Sequence, residues 1–347
     1  MLLGMLASAC VTWLALKPSF NVKQQLAEKS SQVLAPSIHD GLPCDDVTIV
    51  RDNDPSLTKP LLLTEVSCES DALRGLKEEI TAVIDSQKAA GKISRASVYF
   101  KELNSLHWTS VYGNELYYPG SMLKVPIMLC ILKQAQRDRT LLERKLEFRS
   151  PGGKTVLFPV QNPMTPGSFY TVQELIERMI VFSDNDATTL LFSVYDKGLY
   201  DELFMKLSVP VQDPEDRFFR LSASDIAKFM RVLYNASYLS SLYSEYALSL
   251  LTKSDFTEGI LQGVSDGTKV AHKFGERYTT GDLLQLHETA IVYRGSASYV
   301  LTIMTEGLKT DELSSLMNVI SKICFNQKNA QVNDLQALSK QSKSWKS

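Results

Sequence analysis

Ser121 and Lys124 stand one helical turn apart in the stretch Tyr118-Pro119-Gly120-Ser121-Met122-Leu123-Lys124-Val125-Pro126-Ile127-Met128-Leu129. A Pro-Gly turn signal leads into an apolar run of helical length, which sets the serine at the mouth of a helix with the lysine on the same face. A serine hydroxyl is a poor nucleophile until a neighbouring base takes its proton. A lysine desolvated by Met128 and Leu129, near the positive end of a helix dipole, is expected to have its pKa lowered toward what such a base needs. The chemistry this pair can do is acyl transfer through a serine ester.

Ser-x-x-Lys is a short pattern, and the chain repeats it at Ser56-Leu57-Thr58-Lys59 between Pro55 and Pro60, in polar surroundings with nothing apolar to bury the lysine. Two distant segments favour the copy at Ser121. Ser183-Asp184-Asn185 falls at a break between helical stretches, where a hydroxyl and an amide can face a cleft. Lys273-Phe274-Gly275 falls on a strand-like run, followed by Glu276, whose backbone N–H can serve as a donor. Each has a plainer reading: Ser183 and Asn185 as caps of a helix starting near Asp186, Asp184 as a turn residue bonded to backbone, Lys273 as an edge-strand lysine.

The elements that must position these groups can be read around them. The chain has 347 residues, 44% apolar and 22% charged, with a net charge of -2, enough for one large core or two modest ones and without the basic footprint of a nucleic-acid binder. His39, His107, His272 and His287 show no metal-ligand spacing, and the five cysteines form no Cys-x-x-Cys pair, so no metal or cofactor is expected. Cys44 and Cys68 flank a polar stretch and can pair outside the cytoplasm, whereas Cys130 lies in an apolar helix as a small hydrophobe.

Residues 1–20 begin with an uninterrupted apolar run and read as a signal peptide or membrane anchor, placing the protein outside the cytoplasm, at the cell surface or in the periplasm, as a monomer. Residues 21–70 are a polar, proline-bearing arm with strand candidates at Val47–Val50 and Leu61–Val66. A helix spans Asp71–Ala90, and the runs Ala96–Leu103 and Leu106–Val111 form a hairpin. The middle, about 126–268, is mostly helical, with capping boxes at Thr171-Val172-Gln173-Glu174 and Ser222-Ala223-Ser224-Asp225. Strands return at Val270–Phe274, Leu284–Tyr293 and Tyr299–Met304, then a helix over Asp311–Phe325 and a fraying polar tail over 326–347. The expected fold is α/β of the α+β kind: an antiparallel sheet of about five strands flanked by helices, with an all-helical subdomain.

The order and spacing of Ser121-x-x-Lys124, Ser183-Asp184-Asn185 and Lys273-x-Gly275, with Leu286–Tyr293 and Tyr299–Thr305 as closing strands, resemble the penicillin-recognising serine hydrolases of the class A β-lactamase type. The resemblance covers about 71–325 and implies a β-lactamase/transpeptidase-like fold. It further implies Ser121 as the acylated nucleophile and Lys124 as its base, with Ser183 relaying a proton to the leaving nitrogen. Asn185 would bind the substrate amide, Lys273 would supply positive charge, and the backbone N–H groups of Ser121 and Glu276 beyond Gly275 would form the oxyanion hole. The partner is then a small β-lactam or a peptidoglycan peptide.

Two features depart from the pattern. Phe274 stands where the family has Thr or Ser, removing a hydroxyl for the substrate carboxylate and leaving Arg277 or Thr279 as other holders. The loop Leu207–Leu221 lacks the Glu-Leu-Asn that activates the deacylating water, and Glu215 is its one candidate deacylation base, or else part of a solvated charge run. The expected activity is β-lactam opening with slow deacylation. A D,D-peptidase or amidase/esterase acting on peptidoglycan, or a non-catalytic sensor of penicillin or wall fragments, remain as alternatives.

Overall fold

The computed structural model describes residues 47–52, 57–152, 157–211, 219–279 and 282–344, all within the compact unit His39–Ser347, with side chains as far as residue 327. The apolar stretch 1–20, Cys44, Ser56 and Glu215 lie outside these residues.

The first half of the chain runs β1 (Val47–Arg51), β2 (Leu61–Val66), α1 (Arg74–Ala89), β3 (Ile93–Glu102), β4 (Trp108–Val111), α2 (Lys124–Arg137), β5 (Lys145–Glu147) and β6 (Phe169–Thr171). It continues through α3 (Val172–Val181), α4 (Asn185–Leu191), α5 (Lys197–Lys206), α6 (Ala223–Tyr234) and α7 (Ser241–Leu251). The chain closes with β7 (Val270–Tyr278), β8 (Leu284–Val292), β9 (Tyr299–Gly307) and α8 (Thr310–Ser344).

Five strands form one antiparallel sheet in the order β4-β3-β9-β8-β7, so the early hairpin and the three late strands meet as expected. Alternation along the strands sends side chains to both faces, and both are covered. On one face Val98, Phe100, Leu301 and Ile303 pack with Leu76, Ile80 and Ile84 of α1 and Leu313, Met317 and Ile320 of α8. The spacing of four between those α1 residues explains why they share one buried stripe. On the other face Tyr99, Ile291, Val300 and Met304 meet the helical region. Its centre is α2, where Val125 through Leu132 are all buried, as an all-apolar helix must be. Pro126 sits in the first turn of α2, where a missing N–H costs nothing.

Both capping boxes form: Thr171 with Glu174 opens α3, and Ser222 with Asp225 opens α6. In the expected arm, β1 and β2 pair, and Leu62 and Leu63 are buried in the helical core. Cys68 is disulfide-bonded, whereas Cys130 and Cys324 are free and buried. The polar tail continues α8 to Ser344, since neither Gly nor Pro interrupts the helix-forming Gln, Lys, Ala and Leu there. Among the described residues no helix is long and apolar enough to cross a membrane.

Candidate active site

Ser121 lies in a 3-10 turn, Gly120–Leu123, that leads directly into α2, and Lys124 is the first residue of that helix. Ser121 is partly exposed and Lys124 is buried. The Lys124 amine donates to the Ser183 carbonyl at 2.6 Å, to Ser183 Oγ at 3.2 Å and to Asn185 Oδ1 at 2.8 Å. These three acceptors match the three N–H donors of an ammonium. The structure thus brings Lys124, Ser183 and Asn185 together, across about sixty residues of chain.

The local architecture explains why Ser183 and Asn185 are available. Ser183 adopts a left-handed backbone, φ 53°, which for a non-glycine residue costs on the order of 1 to 2 kcal/mol. The capping of α4 falls to Asp184, whose carboxylate accepts from the N–H groups of Asp186 and Ala187. Its other oxygen pairs with Arg178 Nε at 3.0 Å. The plainer reading of Ser183 and Asn185 as helix caps is therefore replaced: Asp184 caps, and its neighbours turn to the lysine.

Two glycines press the edge strand β7 against the turn that carries Ser121. A Cβ on Gly275 would lie 2.3 Å from the Pro119 carbonyl oxygen and 3.0 Å from the Met122 nitrogen. A Cβ on Gly120, which has φ +55°, would lie 2.7 Å from the Glu276 carbonyl oxygen and 3.0 Å from its nitrogen. The Glu276 backbone is therefore held beside Ser121 at a separation only glycine permits.

Lys273 is placed differently from the other expected site residues. Its side chain is fully buried, and its amine has no hydrogen-bond partner among the described residues and lies over the Phe274 ring at 4.2 Å. Burial pulls its pKa down to about 7, against the opposing charges of Asp255, Glu276 and Glu288. It forms no hydrogen bond to the Lys124–Ser183–Asn185 group. Phe274 itself packs face to face on Phe256, with centroids 4.4 Å apart, and edge-on to Phe158 at 5.4 Å. Of the two other holders named for a carboxylate, Arg277 stacks on the Tyr118 ring and Thr279 closes the β7–β8 turn on Leu283.

Above Ser121 is a cavity of about 230 Å³. Ser183, Asn185, Phe274 and Glu276 line it, together with a wall from Phe158 to Met164 that sequence reasoning missed. The available signal was apolar residues and prolines crowded into a loop. Glu276 Oε1 fastens this wall by accepting from the Leu157 N–H at 2.9 Å. Burial raises the pKa of the Glu276 carboxyl; the Leu157 and Phe158 N–H groups and the charges of Lys124 and Lys273 oppose that rise.

A second missed group steadies the turn from below. Tyr118 donates its N–H to Gln285 Oε1 at 2.9 Å, and the Gln285 amide bonds Glu306, which pairs with Arg95. His287 Nδ1 accepts from the Thr305 N–H, so its Nε2–H is the donor to Gln285. Burial depresses the His287 pKa from 6.5 to about 3. A group whose folded pKa is lowered contributes stability that is present above the unfolded value and lost on acidification. We expect stability to His287's account to decline from about pH 6.5 down to about pH 3. In denaturant titrations across that window, His287→Gln should show a shallower pH slope than the wild type; equal slopes would remove His287 as the source.

The model of the β-lactamase enzyme family matches residues 75–327. Among solved structures, a variant of PBP-A in an acyl-enzyme complex with penicillin G aligns with a TM-score of 0.61 at 22% identity, covering 73% of this chain and 96% of that one. A β-lactamase from Burkholderia phymatum aligns with a TM-score of 0.62 at 19% identity, covering 75% and 100%. The class A β-lactamase from Mycobacterium abscessus gives 0.62 at 17% identity, covering 72% and 98%. At these identities the structural likeness speaks for the fold. No sequence among curated proteins matches the chain.

Proposed function

This chain belongs to the β-lactamase enzyme family, and we propose that it is a serine acyl-transfer hydrolase of the class A type that is acylated at Ser121. The observation that carries the reading is the convergence of Ser183 and Asn185 on the Lys124 amine at the base of the turn bearing Ser121. In the proposed sequence unprotonated Lys124 takes the Ser121 hydroxyl proton, and Oγ forms a bond to the carbonyl carbon. The electron pair moves to the carbonyl oxygen, which receives hydrogen bonds from the backbone N–H groups of Ser121 and Glu276. The tetrahedral adduct collapses by breaking the C–N bond, and the proton reaches the leaving nitrogen through Ser183 Oγ, which lies 3.2 Å from the Lys124 amine. Asn185 holds the acyl amide, and Lys273 adds positive charge beneath the cleft.

Water then releases the acyl group, with Glu215 the candidate base for that step. Lacking the Glu-Leu-Asn of the resembled family, the protein deacylates slowly. A fluorescent penicillin at saturating concentration should add one equivalent of mass, mapped by peptide analysis to the Ser121 segment and persisting for hours. Release within seconds would favour a fast β-lactamase, and a folded protein left unlabelled would point to a binding module or to another substrate.

The second reading, a peptidoglycan-directed D,D-peptidase or amidase/esterase, draws support from the likeness to PBP-A and from Phe274 in place of a hydroxyl residue. A stoichiometric sensor would show the same adduct without hydrolysis of any amide or ester. The disulfide at Cys68 supports an extracytoplasmic location, with residues 1–20 as its signal or anchor.

A further inference from the structure

The cavity over Ser121 is acidic and apolar. Three carboxylates line it, Asp184, Asp186 and Glu276, and no arginine or lysine does so among the described residues. Their charges are not equally neutralised. Asp184 is paired with Arg178 and spent on capping α4. Asp186 Oδ1 accepts the Gly152 N–H at 2.7 Å and has no ion pair among the described residues. Glu276 accepts from Leu157 through Oε1, while its buried Oε2 has no hydrogen-bond partner among the described residues.

The two nearby lysines act on the Glu276 carboxyl from outside the cavity lining. Lys273 is buried beside Phe274 and lines no part of the cavity. Lys124 must be unprotonated to accept the serine proton, so until that transfer Asp186 and Glu276 are the cavity-lining charges without an ion pair among the described residues. The rest of the wall, Phe158, Pro163 and Met164 among it, offers apolar surface. An incoming carboxylate would lose its water here and meet like charge, whereas an N–H or ammonium would give Glu276 Oε2 the donor it lacks.

We propose that this cleft takes acyl donors that are uncharged or ammonium-bearing, and that Glu276 and Asp186 are the specificity residues that turn carboxylate-bearing ones away. The proposal rests on the acyl-transfer reading and narrows its substrate class. A penicillin, which carries a carboxylate, is on this view a reagent for the serine and a poor substrate.

The test uses the full chain and three p-nitrophenyl esters of matched length: those of hexanoic acid, of ω-aminohexanoic acid, and the monoester of adipic acid. Nitrophenolate release gives the acylation rate, and intact mass with peptide mapping gives the adduct. The first two esters should acylate Ser121 at least roughly tenfold faster than the adipate monoester, the effect of one partly screened charge. In the double variant Glu276→Gln, Asp186→Asn that preference should shrink to near unity, and the single variant Glu276→Gln should fall between.

Equal or faster acylation by the adipate monoester in the wild type would overturn the proposal, a result that needs no variant to fold. A preference unchanged in both variants would overturn the assignment to Glu276 and Asp186. Absence of a Ser121 adduct from all three esters is a different failure, since it would remove the acyl-transfer reading and this proposal with it.

Discussion

Lys124→Ala is expected to slow acylation of Ser121 by roughly a hundred- to ten-thousand-fold, the usual consequence of losing a general base. The amine also satisfies the Ser183 carbonyl, Ser183 Oγ and Asn185 Oδ1, all within 3.2 Å. Removing it leaves buried acceptors without a donor, at about 1–3 kcal/mol each, and takes away the contact that offsets the left-handed backbone of Ser183. A fall in rate from Lys124→Ala alone is therefore ambiguous between lost base and lost scaffold. Lys124→Arg separates the two, because a guanidinium can donate to the same acceptors but does not deprotonate. The expected result is a melting temperature nearer the wild type for the arginine variant, with acylation as slow as in the alanine variant. Acylation by either variant at the wild-type rate, read from adduct mass against time, would take Lys124 out of the base role.

The parts of this site legible in the sequence are those whose physics is local. The Pro-Gly signal before Ser121, the apolar run of α2, and the boxes at Thr171 and Ser222 are decided by residues within a turn of one another, and they appear where the spacing places them. Alternation and turn residues were likewise enough to find the five strands, though not their order. The choice of cap within Ser183-Asp184-Asn185 was not local. Asp184 prevails because Arg178, on the preceding helix, holds its second oxygen, and because Lys124 draws Ser183 and Asn185 the other way.

Lys273 shows the same limit from the other side. Nothing in Lys-Phe-Gly says that the amine will be sealed over the Phe274 ring, since that follows from Phe256 and Phe158 closing on Phe274 from distant loops. Glu276 was legible as a backbone donor, whereas its side chain acquired a task only when the 157–164 wall folded against it. The short strands β5 and β6 and the helix α5 carry too few residues, or too mixed a pattern, for periodicity to reveal them.

Gly275→Ala should be nearly as damaging as loss of the base, although it adds a single methyl group. The new Cβ would sit 2.3 Å from the Pro119 carbonyl oxygen and 3.0 Å from the Met122 nitrogen, and neither atom belongs to a flexible side chain that can swing aside. Strand β7 or the Ser121 turn must then retreat, which overpacks the contact at about 1–3 kcal/mol. The same retreat draws the Glu276 N–H away from the place where a carbonyl oxygen over Ser121 would gather charge. Misplacing one such donor reduces the chemical step by about a hundred- to a thousand-fold. Gly75→Ala in α1 is the matched control, since its Cβ would meet nothing within 4 Å. That change should raise stability by about 0.5–1 kcal/mol through helix propensity and leave acylation as it was. A Gly275→Ala protein that acylates Ser121 at the wild-type rate would show that the close approach of β7 serves packing alone, and the oxyanion donor would have to be sought elsewhere on the turn.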